Sequence, residues 1–209
     1  MSGQSYIPAP LSGFEHINRY WDHSQQISAA KINPGEYYVT DKVEVITTIL
    51  GSCIGVCVHD PDKKVGGMNH FSLPSKTLTH SACKEQALED FLAYGVKMMN
   101  DLVNAVVRLT GNRDGLVFKI FGCADLDNSD VRVGERNLAF IDRFMSRADC
   151  RLKSYDVRGN LARKLLFYPE TGTVYVKLLP VLPNETLLFR ERDYITKLNS
   201  ISMSGIIQK

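Results

Sequence analysis

The chain lacks a surplus of either charge. Its 209 residues carry 25 Lys and Arg against 23 Asp and Glu, a formal net charge of +2. Binding to nucleic acid or to an anionic membrane surface needs clustered cations to neutralise phosphates, and no such excess exists here. Long apolar runs are missing too: none approaches the roughly 18 residues of a spanning helix. The opening MSGQSYIPAP has neither a basic start nor an apolar stretch, so no secretory leader is expected. With 15 Gly and 8 Pro the chain is neither collagen-like nor of low complexity. The 5 cysteines (Cys53, Cys57, Cys83, Cys123 and Cys150) are odd in number and irregularly spaced. A chain this long buries a core without cross-links, so free thiols in a reducing cytoplasm are the expectation.

What remains is an ordinary globular composition, 44% apolar and 23% charged. Residues 1–30, with a dense patch at His16, Arg19, Tyr20, Trp21 and Asp22, read as an N-terminal extension or strap. Residues 31–188 read as the main domain, and 189–209 as a charged C-terminal helix with a loose tail. Tyr37–Val39, Val43–Leu50, Cys53–His59, Met68–Leu73, Val117–Phe121, 153–157, 165–168 and 173–178 read as strands from their β-branched content and flanking turns. Residues 84–108 and 135–148 carry apolar residues at three- and four-residue steps and read as helices. Strands outnumber helices and short turns join them, which predicts an α+β fold rather than a doubly wound one.

The chemistry concentrates between Thr47 and Leu73. If Cys53–His59 and Met68–Leu73 form a hairpin around the turn Asp60–Lys64, His70 falls opposite Cys53 or one step off. Opposed residues on a ribbon have Cβ atoms about 4.5–5.5 Å apart, within reach of a thiol and an imidazole. A free thiol is mostly protonated at neutral pH; an imidazolium beside it supplies thiolate, and the same ring can later protonate a leaving group. Gly51 and Ser52, just before the cysteine, allow close backbone approach, and their N–H groups suit an oxyanion site. Thr47 on the preceding strand is placed to orient the imidazole; Thr48 points to the other face and is the weaker candidate.

Blander readings compete. Taken singly, Cys53 and His70 are each as well explained as core residues, and Cys57, Cys83, Cys123 and Cys150 read as small buried hydrophobes. A zinc set of Cys53, Cys57, His59 and His70 is disfavoured, because Cys-x3-Cys along a strand spreads the sulfurs over four residue rises.

The string LGSCIGVCVHDPDKKVGGMNHFSLP (Leu50–Pro74) resembles the signature of the CheD family, the chemoreceptor glutamine deamidases of bacterial chemotaxis. PGEYYVT (34–40), KIFG (119–122), VGERN (133–137) and the RK…F…TG…V…K pattern (163–177) extend the resemblance over residues 14–195. One departure is Cys123, where the family pattern has a second glycine. The resemblance implies a layered sandwich of mixed β-sheets flanked by helices, similar to the catalytic domain of deamidating toxins. It implies a Cys–His–Thr triad on Cys53, His70 and Thr47, no metal and no organic cofactor. The implied substrates are glutamine side chains on cytoplasmic helices of methyl-accepting chemoreceptors, with methyl-ester hydrolysis compatible at the same sites. The implied partners are these receptors and the phosphatase CheC, in the cytoplasm and at receptor arrays. A non-catalytic module that tunes signalling by binding is the alternative, and a toxin-like deamidase a third.

Overall fold

The computed structural model describes residues 6–73, 84–126, 133–147, 150–180 and 185–200. Among the described residues the elements, in chain order, are β1 (Asn18–Asp22), β2 (Ile27–Lys31), β3 (Glu36–Thr40), β4 (Glu44–Leu50), β5 (Ile54–Asp60), β6 (Val65–Phe71), α1 (Lys84–Thr110), β7 (Val117–Gly122), α2 (Val133–Arg147), β8 (Arg151–Val157), β9 (Ala162–Tyr168), β10 (Thr173–Leu179) and α3 (Glu185–Ser200). The strands form two five-stranded sheets, ordered β1-β2-β4-β9-β10 and β3-β6-β5-β7-β8. Each sheet is mixed: β2 runs parallel to β4, and β7 parallel to β8, while the remaining pairs are antiparallel. This is the α+β fold that the strand-rich pattern predicts, in the layered-sandwich form that the CheD resemblance implies.

The segment read as an extension or strap has a different place. Residues 18–22 and 27–31 are β1 and β2, part of the first sheet. Ala29 and Ala30 are fully buried there. Arg19, one of the patch residues, reaches Glu44 on β4 through its Nη2 at 2.8 Å. Glu44 also accepts from the hydroxyls of Tyr38 and Thr40, each at 2.6 Å. A carboxylate held out of water needs this many partners, so Arg19 is one side of an internal cluster, while His16 of the same patch is exposed.

The two sheets pack face to face because glycines clear the way. A Cβ at Gly55 would lie 2.6 Å from Leu50 Cδ1, and one at Gly66 would lie 3.0 Å from Phe167 Cζ. Both glycines sit on the face of β5 and β6 that meets β4 and β9. The opposite face of β6 packs on α1: a Cβ at Gly67 would lie 2.9 Å from Leu102 Cδ1, and Asn69 Nδ2 donates to the Met98 carbonyl at 3.2 Å. Every residue of β5 and of β6 is buried. Cys57 and Cys123 are buried free thiols and Cys150 is half-buried, whereas Cys83 lies outside the described residues.

Candidate active site

The first sheet hands the chain to the second at Gly51-Ser52-Cys53, between β4 and β5. Backbone bonds fix this crossing. The carbonyls of Gly51 and Cys53 accept from the N–H groups of Ala124 and Cys123 at 2.9 and 2.8 Å. The Ser52 carbonyl accepts from Asn137 Nδ2 at 2.8 Å. Asn137, on α2, also takes the Leu73 N–H on its Oδ1 at 2.9 Å. All three carbonyls are thus turned into the protein. Gly122 makes this possible: its φ is +107°, and a Cβ there would lie 2.2 Å from the Cys53 carbonyl oxygen.

The β5–β6 register pairs Gly55 with His70. The histidine therefore stands two positions from Cys53 along the ribbon, not opposite or one step off as the hairpin arithmetic predicts. The two side chains still share a face, with Leu50 and Leu165 packed over Gly55 beside them. Cys53 Sγ, a ring nitrogen of His70 and a carboxylate oxygen of Glu191 all lie within 4.8 Å of one another. Cys53 and His70, the pair picked out by the sequence, are brought together.

The threonine is a correction. The Thr47 hydroxyl donates to the Leu165 carbonyl of the neighbouring strand at 2.8 Å. Thr48 instead meets the histidine, its Oγ1 lying 2.8 Å from His70 Nδ1. Thr48 Oγ1 also donates to the Ile32 carbonyl at 2.9 Å. A hydroxyl has one proton to give, so with Ile32 as its acceptor Thr48 must accept from His70. That fixes the tautomer with the proton on Nδ1. Nε2 then carries the lone pair, and it is buried with no hydrogen-bond partner among the described residues. Thr48 is carried by one sheet and His70 by the other. The sequence pattern points to the wrong face because β4 is covered on both sides. Thr47 is 4% and Thr48 2% exposed, so alternation offers no inward face to read.

Glu191 is the residue that sequence reasoning misses. It lies on α3 at 3% exposure, far from Cys53 in sequence. Its carboxylate accepts from Gly51 N–H at 2.7 Å, Ser52 N–H at 3.0 Å and Ser52 Oγ at 2.8 Å. The two N–H groups suggested as an oxyanion site therefore do converge on an anion. A Cβ at Gly51 would stand 2.9 Å from both carboxylate oxygens, so only glycine admits the group. The available signal is the spacing of Glu191, Tyr194 and Leu198, a single helical face.

Electrostatics keep the thiol and the ring neutral in this arrangement. Burial, followed by the charge and hydrogen bonding of Glu191, pushes the Cys53 thiol well above its usual range. Burial alone pulls the His70 imidazole down to about 3. The expectation of a thiolate beside an imidazolium is not met in this buried arrangement. As metal ligands the three groups form a Cys–His–Glu set of the kind that suits zinc, but the carboxylate already serves three donors. His59 of the disfavoured zinc set sits at the far end of β5 against Gly172.

Comparison with known proteins decides the family. The family profile described as CheD chemotactic sensory transduction matches residues 73–178. A Hahella chejuensis protein named probable chemoreceptor glutamine deamidase CheD is 41% identical over 95% of this chain and 93% of its own length. The chain belongs to the CheD family. Proteins of the same name from Halorhodospira halophila and Saccharophagus degradans are 39% and 34% identical, each over 95% of this chain and 92% of their own. The profile covers the CheD-like motifs KIFG and VGERN, and the longer alignments take in the Gly51–Cys53 crossing.

Proposed function

We propose that this CheD-family chain hydrolyses the side-chain amide of chemoreceptor glutamines to glutamate, through a thioester on Cys53. The observation that carries the reading is the unpartnered lone pair of His70 Nε2, held in a buried cluster with a thiol. A cysteine hydrolase needs a base whose free nitrogen faces the sulfur and whose other nitrogen is tied.

The steps follow from these groups. His70 Nε2 takes the thiol proton as Cys53 Sγ attacks the carboxamide carbon. The oxyanion is met by the N–H groups of Gly51 and Ser52, which are worth most in a site without water. His70 returns its proton to the departing nitrogen, the C–N bond breaks and ammonia leaves. The thioester is then attacked by water, whose proton His70 accepts, and glutamate is released with the thiol restored. Thr48 holds the ring throughout. A methyl ester at the same position has the same acyl chemistry and is a compatible substrate. None of these steps calls for a metal or an organic cofactor.

The relatives are named chemoreceptor glutamine deamidases, and on this reading the protein acts on the cytoplasmic helices of receptors, at their arrays. Among the described residues no helix is long and apolar enough to cross a membrane. The test incubates receptor cytoplasmic fragments with the protein and with Cys53→Ala, and follows glutamine-to-glutamate conversion by peptide mass spectrometry. Conversion by the protein and not by the variant is expected; equal conversion by both rejects the assignment.

One observation favours a second reading, a module that tunes signalling by binding receptors and the phosphatase CheC. Cys53 is fully buried and its thiol is held protonated. If binding alone matters, Cys53→Ala restores chemotaxis to a deletion strain.

A further inference from the structure

The cradle at Gly51 and Ser52 is already filled, and what fills it has the chemistry of the reaction product. Deamidation of glutamine yields a glutamate side chain beside the catalytic sulfur. Glu191 is a glutamate side chain beside that sulfur, with both oxygens on the N–H groups that would receive the oxyanion. It is delivered by a helix, 16 residues long.

The rest of α3 is fitted to the same place. Tyr194, one turn after Glu191, lays its ring against Gly35, where a Cβ would stand 2.8 Å from Cε2. Its hydroxyl is hydrogen-bonded to that of Tyr94 on α1, and the Ser72 backbone bonds to it as well. Leu198, one further turn on, is 5% exposed and belongs to the core cluster. The neighbours Phe189 and Arg190 face solvent. One face of α3 thus closes the site over Cys53, which has no exposed surface. A receptor glutamine has no path to the sulfur while Glu191 is bound.

We propose that the Gly51–Ser52 cradle is the glutamyl side-chain site of this enzyme and that α3 is its internal ligand, a product-like helix that a substrate helix must displace. This rests on the deamidase reading above. Departure of Glu191 opens the cradle for the substrate carbonyl. It also removes the negative charge that, together with burial, holds the thiol protonated. The same event therefore admits substrate and eases ionisation of the nucleophile.

The placement has a sharp chemical consequence. In Glu191→Gln the chain presents its own carboxamide to Cys53. Sγ bonds to the side-chain carbonyl carbon of residue 191, the C–N bond breaks, ammonia departs with the proton from His70, and water cleaves the thioester. The product is the original Glu191.

Three variants test this: Glu191→Gln, Glu191→Gln with Cys53→Ala, and Glu191→Ala. Peptide mass spectrometry of purified Glu191→Gln is expected to find glutamate at position 191, and the double variant is expected to keep the introduced carboxamide. With a receptor cytoplasmic fragment as substrate, Glu191→Ala is expected to raise kcat/KM roughly tenfold, the gain for releasing a site closed in about nine molecules of ten. Iodoacetamide is expected to alkylate Cys53 faster in Glu191→Ala than in the parent. Should Glu191→Ala fail to fold, the Glu191→Gln variant, with nearly the same shape, carries the test alone. If the parent deamidates receptor while the carboxamide of Glu191→Gln persists and Glu191→Ala is no faster, the internal ligand is rejected and the enzyme assignment stands. If no variant converts the receptor, and Glu191→Gln does not convert itself, the deamidase reading falls, and this inference with it.

Discussion

Replacing Thr48 by valine separates the two threonines and tests the tautomer argument directly. Valine keeps the shape and removes only the hydroxyl. His70 Nδ1–H then loses its acceptor in a fully buried setting, and the Ile32 carbonyl loses its donor. An unsatisfied buried donor costs about 1–3 kcal/mol. The ring can recover part of this by turning or by moving its proton to Nε2, and either change takes the lone pair away from Cys53. Because that lone pair is used in the transition state, the loss should appear in kcat, as a fall of roughly five- to 150-fold with KM little changed. The matched control is Thr47→Val, which removes a bond to the Leu165 carbonyl and touches no reacting atom. It should cost about 1 kcal/mol of stability and leave kcat near that of the parent. The assay is initial-rate deamidation of a receptor fragment, with urea unfolding of each variant alongside. A larger kcat loss in Thr47→Val than in Thr48→Val would refute the assignment of the orienting hydroxyl.

Three further outcomes are expected. His70 ordinarily titrates near 6.5, but in the folded protein it stays neutral down to about 3; as pH falls below 6.5 the unfolded chain takes up a proton that the folded one refuses, so stability falls by up to about 1.4 kcal/mol per pH unit. Denaturant unfolding between pH 7.5 and 5 should thus be flatter for His70→Gln than for the parent, and identical slopes would contradict the burial of a neutral ring. Arg19→Ala leaves Glu44 buried without its cation and should lower stability by about 3 kcal/mol, read by thermal unfolding; no loss would mean that β1 is not tied to the core. Gly122→Ala places a Cβ against the Cys53 carbonyl at a φ that favours glycine, and should cost more than about 2 kcal/mol and most of the deamidase rate, since the nucleophile moves with that carbonyl; a fully active and stable variant would show that the crossing has slack.

Much of the fold can be read from residues because most elements carry their own punctuation. Asn33-Pro34-Gly35, Asp60–Lys64 and Gly111 interrupt the runs where β3, β5 and α1 begin or end. β1 and β2 escape such a reading for a physical reason. Arg19, Tyr20 and Ser28 look like surface, yet Ser28 is buried and Arg19 nearly so, because they belong to the Glu44 cluster whose charge lies elsewhere in the chain. The closeness of Cys53 and His70 is legible because a hairpin is local. Their exact register is not, because Asp60 pairs with Val65, and the strand that follows is set by that turn rather than by Cys53. The threonine is not legible, since a strand buried on both faces carries no alternation. Glu191 is not legible either: a single glutamate in FRERDYITKLN has the look of a solvated face, and only the folded chain sets it against Gly51.

Thr48 and His70 meet across the interior of the sandwich, each riding on its own sheet, while Cys53 sits on the strap of backbone that stitches the two together. The proposed catalytic geometry is therefore a measure of how the layers are seated on one another. A slip of one layer along its neighbour would leave every strand intact and still separate the base from the hydroxyl that aims it. Substitutions at Leu50, Leu165 or Phe167, in the packing between the layers, are accordingly candidates to silence the chemistry in a protein that otherwise looks whole.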